Sequence, residues 1–209
     1  MNQMDINGKV LLLINLVNNL KSSEIKKVID KRMSEFSSIP HDFENLFKEL
    51  VFCILAAGTS AELGIKTVNH LGDVIFTGSE EEIQKKLKEV YRFHTIRAGY
   101  LHKARESFKK LDINHPEIRN QLVQNIKGIG MKEASHFLRN IGFKDYAIVD
   151  FHIVDVLVKN KLIDKPKTLT KKRYLEIEDL LKKIAVKVNL NLGELDLYLW
   201  YHETGKVLK

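Results

Sequence analysis

Apolar positions recur at three- and four-residue steps along most of this chain, which is the spacing of one face of an α-helix. That spacing predicts helices over residues 8–20, 23–36, 41–57 and 60–71, with Ser22 or Ser23, His41, and Thr59 or Ser60 as start signals and Pro40 and Gly58 as punctuation. A further helix opens at Ser79, where Glu80, Glu81 and Glu82 suit the positive end of the helix dipole. Others cover about residues 94–110, the stretch after Pro116, a helix from Met131 closed by Gly142, one opened by Asp150, and two at about 170–188 and 191–204. Only Val74 to Thr77 reads as strand, and it has no obvious partner. The fold class expected is all-α, a compact bundle with short connections.

At 209 residues the chain has room for one sizeable core or two small lobes. No run approaches eighteen uninterrupted apolar residues and no signal-peptide pattern opens the chain, so an intracellular protein without a membrane span is expected. Cys53 is the single cysteine, which excludes an internal disulfide and any Cys-ligated zinc or iron–sulfur cluster made by this chain. It sits in an apolar helical run and is expected in the core. The net charge of +7 favours a polyanionic partner, and charge alone does not separate nucleic acid from an anionic membrane. Arg92, Arg97, Lys103 and Arg105 are candidates for a basic face.

Candidate chemistry concentrates in residues 126–155, IKGIGMKEASHFLRNIGFKDYAIVDFHIVD. Gly128 and Gly130 flank Ile129 just before a helical pattern, and glycine lets the backbone turn sharply there. Ala134, Phe137, Leu138 and Ile141 then form one apolar helix face. A helix entered through glycines presents free N–H groups that attract phosphate oxygens. Lys132 lies in the first turn, where the helix dipole disfavours a cation. Either its ammonium snorkels to solvent, or it is a working amine whose charged form is disfavoured by burial and the local field. Asp150 follows the apolar run 146–149 and precedes a helix, so it reads as an N-cap. The extended run can also return it beside Lys132.

These residues resemble the helix-hairpin-helix superfamily of DNA glycosylases, and within it the archaeal-type second class of 8-oxoguanine DNA glycosylase/AP lyase. The hairpin with its lysine, followed by AIVDFHI, carries the likeness, together with FCILAAGTSAELGIK (52–66), YRFHTIRAGYLHKAR (91–105) and LWYHETGKVLK (199–209). It spans roughly residues 40–209. The resemblance implies an all-α fold of two helical lobes over residues 1–209, a helix-hairpin-helix at about 115–141 and a DNA-binding cleft between the lobes. It implies a monomer acting on double-stranded DNA that contains oxidised guanine.

Carried onto this sequence, the resemblance implies that Lys132 attacks C1′, expels the base and forms a Schiff base that permits β-elimination, while Asp150 stabilises the cationic sugar. Lys127, Gly128, Gly130 and His152 are then DNA contacts. Asp196, Trp200 and Lys209 are candidates for the base pocket, Trp200 lying four residues after Asp196 on one helix face. No cofactor and no catalytic metal are implied; the main-chain carbonyls of Gln124, Ile126 and Ile129 correspond to a hairpin cation site. Two rival readings stay open here. A non-catalytic DNA-binding module would use the hairpin without Lys132 or Asp150, and a glycosylase for another lesion would keep the fold and change the pocket.

Overall fold

The computed structural model describes residues 3–209, and its regular elements are all helical. In chain order they are α1 (Gln3–Lys21), α2 (Ile25–Ser37), α3 (Phe43–Ala56), α4 (Ala61–Leu71), α5 (Val74–Thr77) and α6 (Glu80–Lys88). There follow α7 (His94–Phe108), α8 (Ile118–Asn125), α9 (Met131–Asn140), α10 (Phe151–Lys159), α11 (Lys171–Lys187) and α12 (Leu192–Thr204). The chain divides into two compact units. One is the contiguous stretch Ile39–Ile141; the other joins the segment up to Ser38 with Gly142–Lys209.

In the contiguous unit α3 is apolar around nearly its whole circumference, and every residue from Glu49 to Ala56 is buried. Such a helix is stable only inside a core, and α4, α7 and α9 pack against it. Cys53 lies there, as expected. Aromatic rings fill the space beside its first turns: Phe43 stacks on Phe47 at 5.3 Å, and Phe108 meets Phe137 edge-on at 5.7 Å. Each such pair adds about 0.5–1.5 kcal/mol beyond the area it buries.

The strand-like stretch is instead the short helix α5. Its β-branched residues suit a strand, but without a partner strand the backbone finds its hydrogen bonds elsewhere. Gly78 N–H bonds to the Val74 carbonyl, and Arg105 donates from Nε to the Ile75 carbonyl at 2.9 Å and from Nη2 to the Gly78 carbonyl at 2.8 Å. Arg105, a candidate for a basic outer face, is therefore buried and structural. Two expected helix starts also move. Ser22 and Ser23 turn their hydroxyls back to carbonyls of α1, and α2 begins after Glu24. His41 pairs its Nε2 with the Ile141 carbonyl at 2.9 Å, leaving Asp42 to cap α3.

In the second unit α12 is the central element. Leu192, Gly193, Leu195, Leu197, Tyr198 and Leu199 are buried on it, and α1, α2, α10 and α11 all pack against it. Burial pushes the Tyr198 hydroxyl up to about 12, so this core phenol stays neutral. Residues 146–149 have no regular structure, yet Ala147, Ile148 and Val149 are buried. Their backbone is held by α11. Tyr174 donates its hydroxyl to the Ala147 carbonyl at 2.6 Å and accepts from Val149 N–H at 3.1 Å, and Glu178 accepts from Ala147 N–H at 2.9 Å.

Tyr174→Phe removes both hydroxyl bonds at once and leaves a buried carbonyl and a buried N–H without those partners. Unfolding free energy should fall by about 2–3 kcal/mol, read by urea denaturation, and Val149 should exchange its amide hydrogen faster. An unchanged denaturation midpoint would show that α11 does not hold this segment.

Candidate functional site

The hairpin between α8 and α9 is held from below by α7. Ile126, extended at φ −109°, ends α8, and Ile129 N–H returns to the Ile126 carbonyl at 3.3 Å. Gly128 sits at φ +90°, a backbone state that side chains with a Cβ avoid. A Cβ there would also lie 2.5 Å from Tyr100 Cδ2 and 3.3 Å from Arg97 Nη1. Conformation and space both require glycine at this position. The same is untrue of Gly130, which is extended at φ −101°, ψ −172° and open to any residue in its backbone. Its N–H donates to Glu133 Oε2 at 3.1 Å, so a carboxylate of the same chain occupies a donor that the sequence suggested for phosphate.

Around Tyr100 two cations gather, the Arg97 guanidinium at 5.5 Å and Lys127 Nζ at 5.9 Å from the ring centroid. Arg97 also donates to the Ala57 carbonyl at 2.8 Å, tying the end of α3 to the ring that supports the hairpin. Neither Tyr100 nor this use of Arg97 stands out in the sequence; the apolar spacing marks them only as α7 positions.

Lys132 is the second residue of α9 and is half-buried. The N-cap glycine has no side chain to cap the first turn. From Ala134 to Asn140 every residue is buried, so α9 has no solvent face beyond its first turn, although the sequence suggested a single apolar face. The polar side is covered by neighbouring helices: Asn140 Nδ2 donates to Glu49 Oε2 at 3.1 Å, His136 meets Phe52 edge-on at 5.5 Å, and Arg119 reaches Ser135 Oγ at 3.4 Å. The cap at the far end is Ile141; Gly142, expected there, follows it at φ +98°.

Asp150 belongs to the other unit. It caps α10, Oδ1 accepting from Ile153 N–H at 2.9 Å, and is half-buried with Oδ2 left over. Beside it Phe151 is 69% exposed, and the ring of His152 lies 4.0 Å from that of Phe151. His152 packs edge-on against Trp200 at 4.5 Å, joining the starts of α10 and the end of α12. The indole N–H of Trp200 is buried and has no hydrogen-bond partner among the described residues. Asp196 lies one turn earlier on α12 and lines a shallow depression, partly open to solvent, with Ala147, Ile148, Ile153, Leu181, Leu192, Leu195 and Leu199. Trp200 is not part of that lining. Gly205, at φ +70°, ends α12 in a left-handed cap, and residues 207–209, with Lys209 last, are half-buried.

No group of three or more His, Cys, Asp or Glu able to hold a metal occurs among the described residues, and none of the described helices is long and apolar enough to cross a membrane. Gly128→Ala should cost about 2–4 kcal/mol, combining a left-handed backbone penalty with overlap against the Tyr100 ring. Thermal denaturation reads the loss. A variant as stable as the parent would mean that Tyr100 does not support the turn.

A family model described as 8-oxoguanine DNA glycosylase matches residues 29–190. The 8-oxoguanine DNA glycosylase/AP lyase of Korarchaeum cryptofilum is 51% identical over 205 residues, covering 94% of this chain and 98% of the relative. The protein of the same name from Methanocaldococcus jannaschii is 50% identical, covering 95% of this chain and 100% of the relative. Among solved structures, the M. jannaschii 8-oxoguanine glycosylase/lyase in complex with a 15mer DNA containing 8-oxoguanine matches with a TM-score of 0.90 at 48% identity, over 95% of this chain and 100% of that one. The 8-oxoguanine DNA glycosylase of Thermotoga maritima matches with a TM-score of 0.88 at 38% identity, over 96% of this chain and 100% of that one. With helical folds and sequences agreeing along nearly the whole length, this chain belongs to the 8-oxoguanine DNA glycosylase family.

Proposed function

We propose that this protein, acting as a monomer on duplex DNA, excises 8-oxoguanine and then cleaves the strand. The observation that carries the reading is the near full-length match to a relative whose structure holds DNA containing 8-oxoguanine, joined to a lysine at the uncapped first turn of α9. Lys132 is the proposed nucleophile. Its neutral amine forms a bond to C1′ as the bond to the base breaks, and the base leaves with a proton. The nitrogen then loses a proton and the C1′–O4′ bond opens, O4′ taking up a proton; the iminium so formed is a Schiff base that acidifies the C2′ proton, and loss of that proton forms the C2′–C3′ double bond and expels the 3′ phosphate.

Asp150 is proposed to stabilise positive charge as it develops on the sugar. Its cap bond supports this role, because Oδ1 is committed to Ile153 N–H and fixes the carboxylate while Oδ2 stays available. Lys127, Gly128 and His152 are proposed phosphate contacts, and Asp196, Trp200 and Lys209 are proposed to read the base. Asp196 lines a shallow depression, and the Trp200 indole N–H has no hydrogen-bond partner among the described residues. The carbonyls of Gln124, Ile126 and Ile129 are hard oxygen donors that suit a cation. One of them, Ile126, also accepts from Ile129 N–H. An ion there would stiffen the turn.

Borohydride should trap a covalent complex with DNA carrying 8-oxoguanine opposite cytosine, and Lys132→Gln should abolish trapping while leaving binding largely intact. An undiminished crosslink in that variant would overturn the choice of nucleophile. Asp150→Asn keeps a capping oxygen, so stability should stay within about 0.5 kcal/mol while single-turnover excision slows by about 100-fold or more. Excision at the parental rate would remove Asp150 from the chemistry.

A further inference from the structure

Residues 159–173 hold seven lysines and arginines against one aspartate, so fifteen residues account for nearly all of the chain's net charge of +7. The segment runs from the last residue of α10 through an irregular connection into the first turn of α11. Three of its cations are paired: Lys159 with Glu203 at 2.5 Å, Lys165 with Asp155 at 3.0 Å and Arg173 with Glu176 at 3.0 Å. Lys161, Lys167 and Lys172 are exposed and have no acidic partner among the described residues.

Two placements in this segment run against local preference. Lys161 follows the C-cap of α10 at φ +55°, with its N–H on the Val158 carbonyl at 2.8 Å and Leu162 N–H on the Leu157 carbonyl at 2.9 Å. Glycine is unstrained in that position, and a residue with a Cβ costs about 1 kcal/mol there. Lys171, Lys172 and Arg173 fill the first turn of α11, which contains no acidic residue and where the helix dipole disfavours a cation by about 0.3–1 kcal/mol. The first turns of α3, α4, α6, α9 and α12 all carry glutamate instead. Lys161 and Lys172 have no acidic partner among the described residues to offset these costs, which points to an external anion.

We infer that residues 159–173 form a second duplex-binding surface, one that grips backbone phosphates without reading bases. The inference rests on the proposed action on DNA. A charge run that lies on an irregular, exposed segment suits a polymer of phosphates more than a lipid surface, because membrane-surface binding also needs an apolar face. Leu169, at 39% exposure, is the one large exposed apolar residue in the segment. The surface lies outside the hairpin and contributes affinity at any sequence, damaged or not.

The test compares two variants of equal charge change. Lys161→Gln, Lys167→Gln and Lys172→Gln together remove the unpaired lysines, and Lys182→Gln, Lys183→Gln and Lys187→Gln remove three exposed lysines further along α11. Binding to an undamaged duplex is measured across a salt series. Each lost phosphate contact lowers the slope of log affinity against log salt by about 0.9, so the first variant should lose about 2–3 from the slope and the second less than about 0.5. Single-turnover cleavage of saturating lesion DNA should be unchanged in both. Equal slopes in the parent and the first variant, or equal losses in the two variants, would overturn the inference. If the first variant loses binding to phosphatidylserine vesicles while its duplex affinity is intact, the surface is a lipid contact and the inference also fails. Because undamaged duplex is the probe, a parental protein that fails to cleave 8-oxoguanine DNA counts against the proposed function alone.

Discussion

Burying α9 on every side is the constraint from which the candidate active site follows. A helix with Ser135, His136, Arg139 and Asn140 along one flank enters a core at a cost that each partner found there reduces, since an unsatisfied buried polar group costs about 1–3 kcal/mol and a buried charge more. Glu49 on α3 meets Asn140, and α8 supplies Arg119 to Ser135. Those contacts fix the rotation of α9 as well as its position. Any turn about its axis would part Asn140 from Glu49 and drive Phe137 out of its aromatic contacts. The first turn, with Met131, Lys132 and Glu133 half-buried, is therefore presented in one orientation by a helix that has no other freedom. A nucleophile benefits from that kind of support, because small displacements from a productive geometry cost rate steeply.

The carboxylate is placed by a different device. Asp150 stands at the end of residues 146–149, which lie in no helix and gain their order from Tyr174 and Glu178 on α11. Capping then fixes the side chain. One oxygen serves the helix, and the same bond that stabilises α10 sets the direction of the other. A residue that reads as a routine N-cap can thus serve both local structure and chemistry, with no sign of conflict in its hydrogen bonding.

Helices were legible because their information is local: three- and four-residue apolar spacing needs no knowledge of the fold. Ends were less so. His41 looks like a start signal for α3, and only the distant Ile141 carbonyl shows why Asp42 takes the cap. Val74 to Thr77 carry β-branched side chains, and the arginine that settles them as a helical turn is thirty residues away. Lys132 and Asp150 were visible by position, one a cation at a positive helix end, the other a cap. Glycine spacing marks Gly128 as a turn, but one of the two reasons that glycine is obligatory there, the Tyr100 ring, lies on another helix. Spacing placed Asp196 and Trp200 on one face of α12, yet only Asp196 lines the depression while Trp200 packs on His152. The net charge of +7 is a single number, whereas its concentration in residues 159–173 carries the information.

The division of the chain also sets an order of assembly during synthesis. Ile39–Ile141 is continuous, so all the helices it needs have emerged once α9 leaves the ribosome. The other unit has no such advantage. Its central helix, α12, is made after every element that packs on it, and α1 and α2 precede it by more than 150 residues. Leu13, Val17, Ile29 and Phe36, buried in the finished protein, must stay soluble through all of that time. Nascent apolar surface of this sort is where chaperones bind and aggregation begins, so the vulnerable interval in the life of this protein lies between the synthesis of its first helices and that of α12.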